Sequence, residues 1–174
     1  MQNLETECCI AGGGPAGIML GYLLARQGVD VIVLEKHEDF LRDFRGDTVH
    51  PSTMQLLHEL GLLEAFLKRP FQKTERIGLN AGGRHYQIVD FSHLPTAAKF
   101  VAFMPQWEFL DFLAGEARKL GTFRLMMSTR ADRLIARNGR VTGVRAHSGE
   151  EALRIKAKLT VACDGRESTL REAA

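Results

Sequence analysis

The chain has 174 residues, 45% apolar and 25% charged, an ordinary globular composition that excludes a disordered tail, a collagen-like repeat or a low-complexity linker. Its 23 Lys and Arg against 21 Asp and Glu leave a net charge of +2, which gives no electrostatic reason for nucleic-acid binding. Three cysteines, two of them adjacent, make a poor disulfide framework and fit a reducing, cytoplasmic compartment; no apolar stretch approaches the roughly 20 residues of a membrane span.

The opening segment is the most informative. Cys8–Ala11 is a short apolar run, followed at once by Gly12-Gly13-Gly14-Pro15-Ala16-Gly17. Ile18–Gln27 carries apolar residues at helical spacing and stops at Gly28, as a helix ending in a left-handed glycine does. Val29–Glu35 is a mostly apolar run of the kind buried on both faces. Strand, glycine turn, helix and strand within about 30 residues make a βαβ unit.

Lys36–Asp47 is a charge-dense loop, and Pro51 starts a helix marked by Met54, Leu57, His58 and Gly61. Phe66–Lys73 is expected to be a break around Pro70. From Thr74 the pattern changes to alternation (Ile77, Leu79), a Gly82-Gly83 turn and a second run (Tyr86, Ile88, Asp90), which predicts an antiparallel hairpin, then a strand at Phe100–Met104. Pro105 precedes an amphipathic helix, Gln106–Leu120, ended by Gly121. Five short strands are expected next: Phe123–Met127, Arg130–Ala136, Val141–His147, Ala152–Lys158 and Leu159–Cys163, with Asn138-Gly139 as a strong hairpin turn. Ser168 caps a short final helix through Leu170 and Arg171.

Charge is unevenly placed. Residues 1–117 hold 10 bases and 15 acids, whereas 118–174 hold 13 bases and 6 acids. The basic surplus falls singly on Arg130, Arg133, Arg137, Arg140 and Arg145, a pattern of solvated strand edges.

Gly12, Gly14 and Gly17 satisfy G-x-G-x-x-G between a strand and a helix, the context in which that spacing has a mechanism. The first glycine allows the tight turn, the second lets backbone approach a pyrophosphate, and the third lets helix and strand pack closely. Pro15 and Ala16 open the helix whose free N–H groups and positive end then face the phosphates. Glu35, at the end of the second strand and followed by Lys36, stands where an acid grips the ribose hydroxyls of an adenosine and repels a 2′-phosphate. Dinucleotide binding is the reading these residues support.

Elsewhere the chemistry is quieter. His50, His58 and His85 lack metal-ligand spacing with Cys or acids, so no metal is expected. Cys8, Cys9 and Cys163 lie in or beside buried strands and read as inert core thiols. Trp107, Phe109 and Phe112 form a core stripe. No Ser/His/Asp triad is readable, and no catalytic residue is identified.

Three separated features give a specific resemblance. Gly12–Gly17 with Glu35, the loop Arg45-Gly46-Asp47 followed by Val49-His50-Pro51 and the helix to Leu60-Gly61-Leu62, and Cys163-Asp164-Gly165-Arg166-Glu167-Ser168-Thr169-Leu170-Arg171 together resemble the N-terminal part of the FAD-dependent aromatic hydroxylases, the para-hydroxybenzoate hydroxylase-like flavoprotein monooxygenases. The resemblance implies an α/β fold: a Rossmann-like FAD-binding βαβ domain with a parallel sheet and an inserted, partial antiparallel substrate-domain sheet. It divides the chain into residues 1–73 and 105–174 as FAD-binding segments and 74–104 as substrate-domain strands. It also implies that Arg45 contacts the flavin side of the cofactor, Gln106 the ribityl or pyrophosphate region, and Asp164 the pyrophosphate through backbone and ordered water.

The implied reaction is NAD(P)H-dependent reduction of FAD followed by oxygen activation and hydroxylation of a small, aromatic substrate. The family's second Gly-Asp motif is absent before Ala174, so the stretch is expected to be part of a longer protein, to hold FAD weakly or not at all alone, and to hydroxylate nothing by itself. Alternatives are an FAD-dependent oxidoreductase of another type (reductase or halogenase-like) and a non-catalytic dinucleotide-binding module. No nucleic acid and no membrane span are expected, and a homodimer is left open.

Overall fold

The computed structural model describes residues 1–41 and 47–174. The chain divides into two compact units, Met1–Leu41 with Leu110–Ala174, and Arg42–Phe109. In chain order the elements are β1 (Gln2–Ala11), α1 (Pro15–Arg26), β2 (Val31–Leu34), β3 (Thr48–Val49), α2 (Pro51–Glu59), α3 (Leu63–Phe66), β4 (Gln72–Thr74), β5 (Arg76–Ala81), β6 (Arg84–Asp90), β7 (Val101–Phe103), α4 (Gln106–Arg118), β8 (Phe123–Met126), β9 (Thr129–Arg137), β10 (Arg140–Ser148), β11 (Glu151–Ala162) and α5 (Thr169–Glu172).

The first unit is built on a six-stranded sheet of order β8-β2-β1-β11-β10-β9. Strands β8, β2, β1 and β11 are mutually parallel, while β10 and β9 continue antiparallel. Every residue of β2 is buried because a parallel strand in this position is covered on both faces, which is why its sequence is a continuous apolar run. On one face Cys9, Ala11, Ile32 and Leu34 pack with Val144, Ala146, Leu153, Ile155 and Leu170. On the other lies α1, held so close that a Cβ on Gly21 would stand 2.8 Å from both Val33 and Phe123. A fully buried Ile or Leu in such a core contributes roughly 1.5–3 kcal/mol relative to exposure.

The strand order fixes where a ligand belongs. The chain runs outward from β1 to β2 to β8 on one side, then returns to β11 on the other side of β1. The direction of winding therefore reverses between β1 and β11. The crevice beyond the carboxyl ends of those two strands is where parallel α/β sheets bind ligands.

The second unit holds two small antiparallel sheets, β3-β7-β4 and the hairpin β5-β6. Its apolar centre includes Phe66, which stacks on Phe71 at 6.3 Å and meets Phe109 edge-on at 6.1 Å. Phe71 in turn stacks on Phe100 at 5.9 Å.

Most expected elements are present, with instructive differences. The strands expected at Ala152–Lys158 and Leu159–Cys163 are one, β11. Its alternation changes phase: Ala157 is buried, whereas Leu159 is 56% exposed. The β1–β11 pairing skips Glu7 and Lys158 at that point, and the N–H groups of Glu7 and Cys8 both donate to the Asp30 carbonyl. The register is the same on both sides of that point, so the strand runs on without a turn while its buried face changes. Likewise β1 begins at Gln2, six residues before the apolar run, because its first half has an exposed side. The break expected around Pro70 is present, running from the end of α3 at Phe66 to the start of β4 at Gln72.

Candidate functional site: a glycine-lined cradle between two parallel strands

At the carboxyl end of β1 the chain enters Gly12 with φ at +111°, a conformation that L side chains rarely adopt. Space forbids a side chain as well. A Cβ on Gly12 would overlap the Cys163 carbonyl oxygen and come within 2.8 Å of the Asp164 nitrogen. The Gly12 N–H donates to the Leu34 carbonyl at 2.8 Å, and the Cys163 N–H donates to the Ala11 carbonyl at 2.7 Å, so the loop is pinned to both neighbouring strands. Gly17, in the first turn of α1, is equally constrained: a Cβ there would overlap the Gly12 carbonyl oxygen. Backbone touches backbone at both positions.

Gly14 is different. No atom lies within 4 Å of where its Cβ would be, so the loop offers open space at the amino end of α1. No side chain caps that end. The N–H groups of the first turn have no carbonyl partner within the helix, and Pro15 lacks a donor altogether. Pro15 and Ala16 are exposed. Open space beside first-turn N–H groups and the positive end of a helix dipole is suited to a phosphate-bearing group.

Glu35 follows β2 and is 8% exposed. Its Oε2 accepts the Gly13 N–H at 2.9 Å and its Oε1 accepts the His37 N–H at 3.1 Å. Its own backbone is tied on both sides, the N–H to the Met126 carbonyl at 2.8 Å and the carbonyl to the Thr129 N–H at 2.7 Å. A carboxylate offers about four acceptor positions, so these two bonds orient the group without exhausting it. Sequence reasoning passed over Gly13, which the motif does not require. Its signal is a third consecutive glycine: a Cβ at that position would sit 2.7 Å from the Glu35 Cβ.

Asp164 lies just past the end of β11, across from Gly12. Its carboxylate accepts from the Ser168 hydroxyl and from the Leu170 N–H at 3.2 Å, and Ser168 Oγ accepts the Arg171 N–H at 3.0 Å. The acid thus organises the turn into α5. Its backbone N–H side meets the glycine loop. Lys36 is exposed beside Glu35. Gln106 is half-buried as the first residue of α4, in the second unit. Arg45 lies outside the described residues. The structure therefore brings together Gly12, Gly14, Pro15, Ala16, Gly17, Glu35 and Asp164 within one unit.

Among the described residues, none of the three cysteines is an activated thiol. Burial, reinforced by the neighbouring Cys8, pushes the Cys9 thiol up to about 12; Cys8 and Cys163 are also raised, chiefly by burial. All three are kept as neutral thiols at neutral pH, as their core positions suggested. Among the described residues no group of three or more His, Cys, Asp or Glu is arranged to hold a metal ion. His50, His58 and His85 are exposed.

Comparison with known proteins agrees with this geometry. Residues 5–174 match the family model described as FAD binding domain. The 6-methylpretetramide 4-monooxygenase of Streptomyces rimosus is 32% identical over 173 residues, covering 99% of this chain and 41% of that protein. A rifampicin monooxygenase of Rhodococcus hoagii is 31% identical, covering 96% and 33%. Among solved structures, the anhydrotetracycline hydroxylase of Streptomyces rimosus superposes with a TM-score of 0.82 at 29% identity, over 98% of this chain and 34% of that one. The p-nitrophenol 4-monooxygenase of Pseudomonas putida shares the fold, with a TM-score of 0.85 at 23% identity over 99% and 44%. The chain spans less than half the length of these relatives. A strand order that reverses at β1, a glycine loop closed by backbone contacts, an oriented glutamate after β2 and a family match over nearly the whole chain lead to one assignment: this chain belongs to the FAD binding domain family.

Proposed function

We propose that this chain is the FAD-holding part of a monooxygenase that uses NAD(P)H and O2 to hydroxylate a small aromatic substrate in the cytoplasm. The observation that carries the reading is the pairing of open space at Gly14 with a buried Glu35 carboxylate, both fixed by the same glycine loop. FAD, when bound, supplies the redox and oxygen chemistry. The chain's own residues hold it. The first-turn N–H groups of α1 donate to the pyrophosphate, with Pro15 and Ala16 shaping the rim. Glu35 accepts from the adenosine ribose hydroxyls, and its charge turns away a 2′-phosphate. Lys36 lies alongside the adenosine, and Asp164 with the adjoining backbone completes the pyrophosphate side. Gln106 and Arg45 serve the ribityl and flavin end, and residues 74–104 provide the first strands over the substrate.

The fit of FAD is supported by the site rather than by the name alone: a dinucleotide needs both a phosphate cradle and an acid one strand away, and both are present. The substrate class is supported by the relatives, among them an aromatic compound monooxygenase, a p-nitrophenol 4-monooxygenase and an anhydrotetracycline hydroxylase. The test is oxygen-18 labelling with the full-length protein. Label from O2 appearing in a hydroxylated aromatic product, dependent on reduced nicotinamide, is the expected result. Nicotinamide oxidation with no oxygen transfer to any aromatic tried would favour the reductase alternative.

A further inference from the structure

The turn that follows β11 directs two donors at one carboxylate. Asp164 is half-buried just past the carboxyl end of β11, at the crevice where the winding reverses. Its nitrogen lies 2.8 Å from where a Cβ on Gly12 would stand, so it adjoins the glycine loop. Gly165, with φ at +92°, turns the chain back so that Ser168 and Leu170 meet the Asp164 side chain. The Ser168 hydroxyl bonds Oδ1, and the Leu170 N–H donates to Oδ2 at 3.2 Å.

The direction of the Ser168 bond is fixed by its other partner. A backbone N–H can only donate, so Ser168 Oγ accepts from Arg171 at 3.0 Å and its one proton is left for Asp164. The link is rigid. Ser168 is 4% exposed, Leu170 is buried in the core, and the Arg171 side chain closes the turn by donating to the Arg166 carbonyl at 2.8 Å. Capping α5 needs only the bond from the Arg171 N–H. The bond to Asp164 does something further. With one acceptor position of each oxygen taken, the orientation of the carboxylate is set, and about two of its four positions stay open to donors outside the turn.

We propose that Ser168 is a positioning residue of the cofactor site, holding the Asp164 carboxylate for a donor on the pyrophosphate side of FAD. The proposal rests on the reading above that puts FAD in the glycine cradle. A carboxylate cannot accept from a phosphate, since neither group carries a proton to give at neutral pH; a water that donates one proton to each can join them. Such a bridge needs a carboxylate of fixed orientation, and a freely rotating Asp side chain would have to be ordered each time the cofactor binds.

The test is the FAD dissociation constant of the full-length protein, freed of flavin, for the wild type, Ser168→Ala, Ser168→Thr, Asp164→Ala and the Ser168→Ala/Asp164→Ala double variant. Ser168→Ala should weaken FAD binding about tenfold, the scale of one hydrogen bond to a charged group. Ser168→Thr keeps both the donor and the capping oxygen and should stay within about threefold of wild type. The double variant should bind FAD no more than about twofold more weakly than Asp164→Ala, because without the carboxylate the hydroxyl has nothing to position. A residue that only caps α5 would lower the melting temperature of the flavin-free protein, and any loss of FAD affinity would be the same factor with or without Asp164. That outcome would overturn the proposal, as would FAD binding by Ser168→Ala within about twofold of wild type, or equal losses in Ser168→Ala and Ser168→Thr. Should Asp164→Ala not fold, the contrast between Ser168→Ala and Ser168→Thr decides alone. Wild-type protein that binds no FAD would sink the cradle reading together with the proposal, whereas the other adverse outcomes leave that reading standing.

Discussion

The glycine cradle and the β5–β6 hairpin are opposite solutions to forming structure. In the cradle, shape is enforced by contacts of main chain on main chain, and Gly12 and Gly17 leave no room for even a methyl group. In the hairpin, every residue of β5 is exposed, and Ile77, Leu79, Tyr86 and Ile88 are between 41% and 63% exposed. A two-stranded ribbon of this kind has little stability of its own. Hydrophobic pattern alone therefore predicts a strand well and its energetic weight badly. What distinguishes the two regions is whether the pattern finds a second layer.

The comparison makes its largest prediction at Gly17. Gly17→Ala should destabilise the chain by about 3 kcal/mol or more, since the added methyl has only a backbone carbonyl to displace; chemical denaturation measures it. Core truncation tests the same contrast with ordinary side chains. Ile155→Ala, at a fully buried position, should cost about 2–5 kcal/mol, whereas Ile88→Ala in the hairpin should cost about 0.5 kcal/mol or less. Equal costs would break the distinction. Glu35→Ala leaves the Gly13 N–H without its acceptor and should cost about 1–3 kcal/mol before any ligand is added.

The hairpin has its own electrostatic signature. Hydrogen bonds from the Ser92 hydroxyl and N–H, helped by Arg76, hold the Asp90 carboxyl down at about 2. A depressed carboxylate contributes stability that is full above its unfolded value of about 3.9 and lost as pH falls through the folded value. The end of the hairpin should thus loosen between about pH 4 and pH 2, and carboxyl NMR should report Asp90 titrating near the lower limit. Asp90→Asn should remove that acid-dependent step. A normal Asp90 titration would show that the contacts at Ser92 and Arg76 do not persist in solution. The smallest effect concerns Cys9, whose raised thiol should resist alkylation in the native protein at pH 8 and react on unfolding.

How far the sequence could be read follows from the same physics. The βαβ unit was legible because β2 is buried on both faces and α1 carries helical spacing, each a pattern that burial itself writes into the chain. Glu35 was legible from its spacing to Gly14. The bonds that orient it were not, because Gly13 and His37 contribute through main-chain N–H groups common to any residue type. Nor was the contact of Gly12 with Cys163, a pairing of residues far apart in sequence. Strands of two or three residues, β3 and β4, are too short to show a period. Arg133, Arg145 and Arg154 were visible only as scattered charges until the register of β9, β10 and β11 set them opposite one another.

The most direct test of the central claim, that the glycine loop and Glu35 form one cofactor-holding device, is the melting temperature of the full-length protein, freed of flavin and titrated with FAD up to millimolar concentration. Ligand binding to the native state must raise it in a saturable way. The account predicts such a rise for the wild type and, for Glu35→Ala corrected for its lower starting stability, a midpoint at least about tenfold higher in FAD. An unchanged midpoint in Glu35→Ala, or no rise in the wild type at any concentration, would contradict it.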